Sequence, residues 1–358
     1  MHTRASSALA TAFPPPAGYW ALSAGAGRVL FHKRGVLAAL GLMVLLTALA
    51  GASLAYGTAE LSPWDALRAI LGQGEPKHVF LIKELRLPRL AAGLLSGAAL
   101  GVAGCLLQTL AHNRLATPGI IGIDDGASAF AVASIIAVPT SLAPSALALM
   151  GAATATALVF GLSGGSGSKG YRFIVVGIAV GAVFGALTNL MLARSDMDSA
   201  NLAYPWTVGS LNARPAQAVW LLAMGLLVCL PAAKYLGRAL NVLRFSEPVA
   251  VGLGVALRRT RALTLVVTVV LTALGVAVVG PVGLIALAAP EMARQLAGRQ
   301  GVPIIGAALS GALLMALADW VGRSAFAPIE IPVGVITAVV GGPYLLWILL
   351  RRPDRRIG

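Results

Sequence analysis

Charge is what this sequence lacks. Only 11% of its 358 residues are Asp, Glu, Lys or Arg, less than half of what a water-soluble surface carries. Cysteine is nearly absent as well: Cys105 and Cys229 both lie inside apolar runs, which excludes a disulfide framework. The four histidines, His2, His32, His78 and His112, form no His-Glu-x-x-His pair and no Cys/His cluster. An intramembrane metalloenzyme is therefore not expected, and no metal site or catalytic residue is assigned. A phosphate-binding loop is missing too. The run Gly164–Gly170 imitates one but lacks the Gly-Lys-Ser/Thr ending, and it reads as a flexible turn. The chain thus holds no nucleotide of its own, and any pumping must draw energy from a partner.

What is present is apolar: 58% hydrophobic residues and 42 glycines, with a mean hydropathy of +0.85. A soluble enzyme, a secreted disulfide-stapled domain and a disordered basic protein are excluded. The pattern is that of an all-α polytopic membrane protein. Ten stretches are long enough to count as spans: 35–56, 88–111, 118–138, 142–162, 173–193, 215–236, 262–279, 282–298, 303–322 and 332–350. Gly280-Pro281 between the seventh and eighth reads either as a tight turn or as a kink. Residues 1–34 have no apolar core and include Pro14-Pro15-Pro16, so they read as a loose cytoplasmic tail and not as a cleavable signal. Residues 35–350 form the membrane domain and 351–358 a second cytoplasmic tail.

A net charge of +14 raises the question of nucleic acid. Placement answers it. With the N-terminus inside and ten crossings, 19 of the 27 basic residues fall on the cytoplasmic side and 8 of the 13 acidic residues fall outside. The outer face is then near neutral and the inner face holds the whole excess, as the positive-inside rule requires. These charges orient the chain and touch anionic lipid; nucleic acid is not a partner.

Small residues recur at four-residue spacing in two spans, at Gly93, Gly97 and Gly101 and at Gly177, Gly181 and Gly185. Such stripes let helix backbones approach closely. Intramembrane acids are few. Asp124 and Asp125 open the third span, Glu291 lies in the eighth and Asp319 ends the ninth, with none expected at mid-bilayer. An Asp/Glu relay for gradient-driven transport is accordingly poorly supported. The longest inner loop, 234–261, is more informative. Ser246 is placed to cap a short helix with Pro248 in its first turn and Gly252 or Gly254 at its end. Val249, Leu253 and Leu257 give it an apolar face with basic flanks, suited to a membrane surface or to a partner's groove.

Several ordered stretches together resemble the FecCD-type permease family. They are Arg86-Leu-Pro-Arg89 with the first glycine stripe, Gly104 to Gln108, and Asn113 through Pro118 to Gly122. Trp206 to Leu211, the loop at Leu240-Asn241 and Glu247–Gly254, and Gly280 to Arg294 follow. Ala318-Asp319 to Arg323, Glu330 to Thr337 and Gly341-Gly342-Pro343 complete the match. The resemblance implies the ten-helix bundle of a type II ABC importer, like the cobalamin-importer permeases. It implies a second permease subunit, two ATPases that bind ATP-Mg, and an extracytoplasmic siderophore-binding protein; this chain itself binds no cofactor. Arg86, Arg89 and Arg323 match the positions that receive glutamates of the binding protein. Leu240, Asn241, Leu243, Ser246, Glu247, Ala250, Leu253 and Gly254 match the segment that couples to the ATPase. The run Gly209 to Arg214 and the Ala-Leu-Ala-Ala-Pro290 stretch look most like the ferric-siderophore branch, catecholate type, in which heterodimers of two permeases are common and a homodimer is the alternative. Haem and cobalamin are the alternative cargoes within the family. Two positions depart from the family's pattern: Glu291 stands where a His is usual after the proline, and Arg114 stands where Asn-Pro-Leu is usual. The first puts in doubt any role of that histidine. The second predicts a different turn, since arginine restores a donor and frees φ.

Overall fold

The computed structural model describes residues 16–24, 27–56, 61–136, 143–164, 171–298, 301–326 and 328–350. Each of the ten apolar stretches coincides with a helix. These are α1 (Lys33–Ala55), α4 (Leu87–Leu110), α5 (Ile123–Ile136), α6 (Pro144–Leu162), α7 (Tyr171–Arg194), α10 (Ala216–Leu243), α12 (Leu257–Val279), α13 (Gly283–Ala297), α14 (Ile304–Ser324) and α15 (Val333–Leu350). Short helices lie between them: α2 (Pro63–Ile70), α3 (Pro76–Phe80), α8 (Met197–Ala203), α9 (Pro205–Val208) and α11 (Glu247–Gly252). A π-helical turn, Leu81–Arg86, leads from α3 into α4, and a 3₁₀ turn, Pro118–Ile121, leads into α5. Among the described residues seven helices are long and apolar enough to cross a membrane, and α15 contributes a shorter apolar stretch, Val333–Tyr344. At 14 and 15 residues, α5 and α13 fall short of the roughly 20 that a span needs.

The tail expected to be loose is not loose throughout. Tyr19–Ala24 and Gly27–His32 form an antiparallel hairpin, β1 and β2, with Tyr19 opposite His32 and Ala24 opposite Gly27. The segments YWALSA and GRVLFH carry the aromatic and branched residues that favour strands, which the proline-rich start of the tail obscured. Residues 1–15, most of the 164–170 turn and the 351–358 tail lie outside the described residues. The ambiguity at Gly280-Pro281 resolves as a turn. Gly280 has φ +81° and caps α12, and α13 starts three residues later.

Helix α4 is the hub, packing against α10, α12, α13 and α14. Its glycine stripe explains the closest crossing. A Cβ at Gly97 would press on the Gly311 backbone of α14 and lie 2.7 Å from Met315 Cβ. One turn on, Gly101 meets the Ala307 carbonyl in the same way. Lipid gives helices no hydrophobic reason to associate, so this close van der Waals fit supplies much of the drive. Polar side chains are disposed of locally. Thr264, Thr268 and Thr272 are buried in α12, and each hydroxyl donates to the carbonyl four residues back at 2.7–2.8 Å.

The second stripe does something else. Gly177 and Gly181 face the 3₁₀ turn and the start of α5, where Gly177 abuts the Ile120 carbonyl and Gly122 fits against Gly181. A Cβ at Gly185 would touch nothing within 4 Å. The chain leaving α4 therefore dips to the middle of α7 before α5 begins. This places the Asp125 carboxylate against Gly181, ten residues into the 24 of α7. The buried acids Glu291 and Asp319 are each held by arginines.

Candidate functional site: an arginine socket and an exposed helix at opposite ends

Contacts sort the helix ends. Arg34, in the first turn of α1, donates to the carbonyls of Leu296 and Gln295 at the end of α13. His112, just past α4, meets the Leu243 carbonyl at the end of α10 at 3.0 Å. The start of α1 and the ends of α4, α10 and α13 thus share one end of the bundle. At the other end Arg86 donates to the Leu54 and Ala55 carbonyls that close α1, at 2.5 and 3.1 Å. Arg323 at the end of α14 donates to Ser53 Oγ at 2.7 Å.

The three arginines singled out in the sequence come together at this second end. Arg86, Arg89 and Arg323 line one cavity of about 250 Å³ with Glu84, Glu330 and Arg214. They are not open docking posts. Asp319 sits between Arg89 and Arg323, 3.0 Å from each, and Glu330 takes the other side of Arg89 at 2.8 Å. Arg86 is buried, and the side chains of Arg89 and Arg323 are only 16% and 12% exposed. The helices dictate this: Asp319 and Arg323 are one turn apart on α14, and the glycine crossing brings Arg89 of α4 against them.

Arg214 was not among the residues assigned from the sequence. It lies in the loop between α9 and α10, its guanidinium 4.0 Å from the centre of the Trp206 ring, with Nε donating to the Ser210 carbonyl at 2.8 Å. Its Nη2 is buried without a partner among the described residues. Burial pushes the guanidinium down to about 10, which leaves it cationic at neutral pH. Arg214 is thus a desolvated cation over an aromatic face, beside the cavity that the other arginines line. Its only trace in the sequence is a tryptophan eight residues before an arginine in a turn-rich run.

At the first end the inner loop folds as its residues direct. Ser246 caps α11 through Val249 N, Pro248 stands in the first turn, and Gly254 adopts φ +82° beyond its end. Glu247 pairs with Arg261, pinning α11 to α12. The matched residues divide into two groups. Leu240, Leu243 and Ala250 are buried in the chain's own core, and Asn241 is half-buried. Ser246, Glu247, Leu253 and Gly254 are exposed, next to an apolar surface of Phe245, Val249, Val251 and Leu253. The first group shapes the segment and the second presents it.

Likenesses to known proteins bear on this arrangement. The description "FecCD transport family" matches residues 43–351. The chain belongs to that family. A ferric enterobactin transport permease of Escherichia coli K12 is 33% identical over 92% of this chain and all of its own length. An iron(III)-citrate import permease of Bacillus subtilis 168 is 37% identical, covering 89% and 96% of the two chains. A hemin transport permease of Yersinia pestis is 34% identical over 88% and 96%. Among solved structures, an inward-facing metal-chelate type ABC transporter superposes with a TM-score of 0.77 at 28% identity, over 88% of this chain and 99% of that one. As a member of the family the chain is an integral membrane transport permease. Its fold is a helical bundle of the metal-chelate importer kind.

Proposed function

We propose that the chain is the permease subunit of an ABC importer that carries ferric siderophores inward. The relatives support this reading: they are permeases of a ferric enterobactin transport system, an iron(III)-citrate import system and a hemin transport system. The observation that carries it is the polarity of the bundle. A carboxylate-laced arginine socket occupies one end, and a capped helix with exposed apolar residues occupies the other. The first suits an acidic extracytoplasmic binding protein, with Arg86, Arg89 and Arg323 in the docking role. The second suits a groove of an ATPase that holds the ATP-Mg. In the full assembly two permeases, as a heterodimer, stand on two ATPases. The chain crosses the inner membrane ten times with both termini cytoplasmic; α5 and α13 cross as short helices completed by the turns beside them. Within the cargo class the catecholate type is preferred, in keeping with the enterobactin relative.

The test is reconstitution in proteoliposomes with the cognate ATPases and binding protein, offered ferric catecholate, hydroxamate and citrate chelates, haem and cobalamin. ATP-dependent uptake led by the catecholate is expected. Uptake led by haem or cobalamin would overturn the cargo. Uptake that survives loss of the ATPases but collapses with the proton or sodium gradient would replace the ABC reading with a secondary transporter.

A further inference from the structure

The two positions at which the chain departs from the family's pattern, Arg114 and Glu291, meet in space. Arg114 Nη1 lies 3.5 Å from Glu291 Oε1, across 177 residues of sequence. Glu291 lies in the second half of α13, and its side chain is 10% exposed. Its charge is already met from its own helix, by Arg294 Nε at 3.2 Å and by Gln295 Nε2 at 3.4 Å. Arg114 is thus not needed to make burial of Glu291 tolerable. With 58% of its side chain exposed, it adds little stability. It is placed to make and break the contact.

What the contact joins gives it meaning. Pro290 carries no N–H, so the Ala286 carbonyl one turn back in α13 lacks its helical donor. Gln108 of α4 reaches in and donates to the carbonyls of Ala286 and Leu287 at 3.5 and 3.2 Å, and its own oxygen accepts from Arg294 Nη2. Gly104 permits the approach, since any Cβ there would strike the Ala286 carbonyl. Just beyond α4, His112 binds the Leu243 carbonyl, at the point where α10 gives way to the exposed segment before α11. The six residues after α4 are therefore tied to the coupling segment by His112 and to the proline-weakened helix α13 by Arg114.

We propose that Arg114 and Glu291 are a positioning pair that passes movement of the 244–254 segment to α13. The inference rests on the reading of that segment as the ATPase-facing one. Movement of α11 shifts the end of α10, His112 follows Leu243, and Arg114 pulls on or releases Glu291 beside Pro290.

The test uses the complete complex in proteoliposomes and reads molecules imported per ATP hydrolysed. That ratio is insensitive to how much variant folds, so a merely structural role would not move it. Arg114→Gln and Glu291→Gln are each expected to lower the ratio about three- to tenfold, and the double variant to do no worse than the lower single. The charge swap, Arg114→Glu with Glu291→Arg, is expected to return it to within about twofold of wild type. Single variants with unchanged ratios, or a double Gln variant whose loss is the product of the two, would overturn the pair. Should the swap fail to fold, the neutral cycle decides alone. Failure of the importer reading is seen separately, as absence of ATP-driven uptake by the wild-type complex.

Discussion

Replacing Asp319 by Asn should weaken the protein and strengthen its docking at the same time. The carboxylate lies 3.0 Å from both Arg89 and Arg323, and its side chain is 7% exposed. At such distances, in an effective dielectric near 20, each contact has a gross Coulomb energy of ~5 kcal/mol, most of it offset by desolvation. Removing one member of a buried pair costs about 3–5 kcal/mol, because the remaining charge stays buried. Two features reduce this. Arg89 keeps Glu330 at 2.8 Å, and Arg323 keeps Ser53 Oγ at 2.7 Å. We therefore expect a loss of about 2–3 kcal/mol, read as a lower thermal midpoint for the permease complex in detergent. That loss should persist in high salt, since the pair is largely screened from ions already. The vacated arginines then face the cavity with one negative charge fewer. Association with an acidic binding protein should rise about fivefold at low ionic strength and converge on wild type as salt is added. A variant that is as stable as wild type would refute the caged-arginine account. One that is destabilised yet docks more weakly would show that Asp319 orients the arginines for docking and does not compete for them.

Three further outcomes follow from the geometry. Gly97→Val should cost about 1–3 kcal/mol by forcing α4 from α14, whereas Gly185→Ala, with nothing within 4 Å, should be close to neutral; paired melting curves compare them. Ser246→Ala removes the cap on Val249 N and should destabilise α11 by about 0.5–2 kcal/mol, seen as faster amide exchange confined to residues 247–252. Arg214→Met should leave stability unchanged or higher, because a desolvated cation is removed, while lowering affinity for the binding protein; unchanged affinity would take Arg214 out of the socket's function.

Much of the bundle was legible in one dimension because lipid enforces a simple code. Every apolar stretch became a helix, since a backbone in hydrocarbon has to satisfy its own hydrogen bonds. Four-residue glycine spacing at 93, 97 and 101 announced a close crossing, and Ser246 with Pro248 announced a capped turn of helix. The same spacing at 177, 181 and 185 could not say what would fill it. Two of these glycines receive a 3₁₀ turn and an aspartate, and the third receives nothing. The N-terminal hairpin was hidden for a related reason: proline and small residues set the composition of the tail, and the pairing of Tyr19–Ala24 with Gly27–His32 is a property of two segments, not of either.

The positions of the long helices and the family were legible in the sequence itself, because hydropathy and ordered motifs are both read along the chain. What each charged residue does was decided only by the fold. Arg86, Arg89 and Arg323 read as outward-facing posts, and tertiary packing made them a cavity wall neutralised by Asp319 and Glu330. Arg114 and Glu291 read as two separate oddities, and folding placed them 3.5 Å apart. Hydrophobic patterning acts residue by residue and survives projection onto a line. A Coulomb partner is selected by distance in space, and 177 residues of intervening chain leave no mark of it in the order of the amino acids.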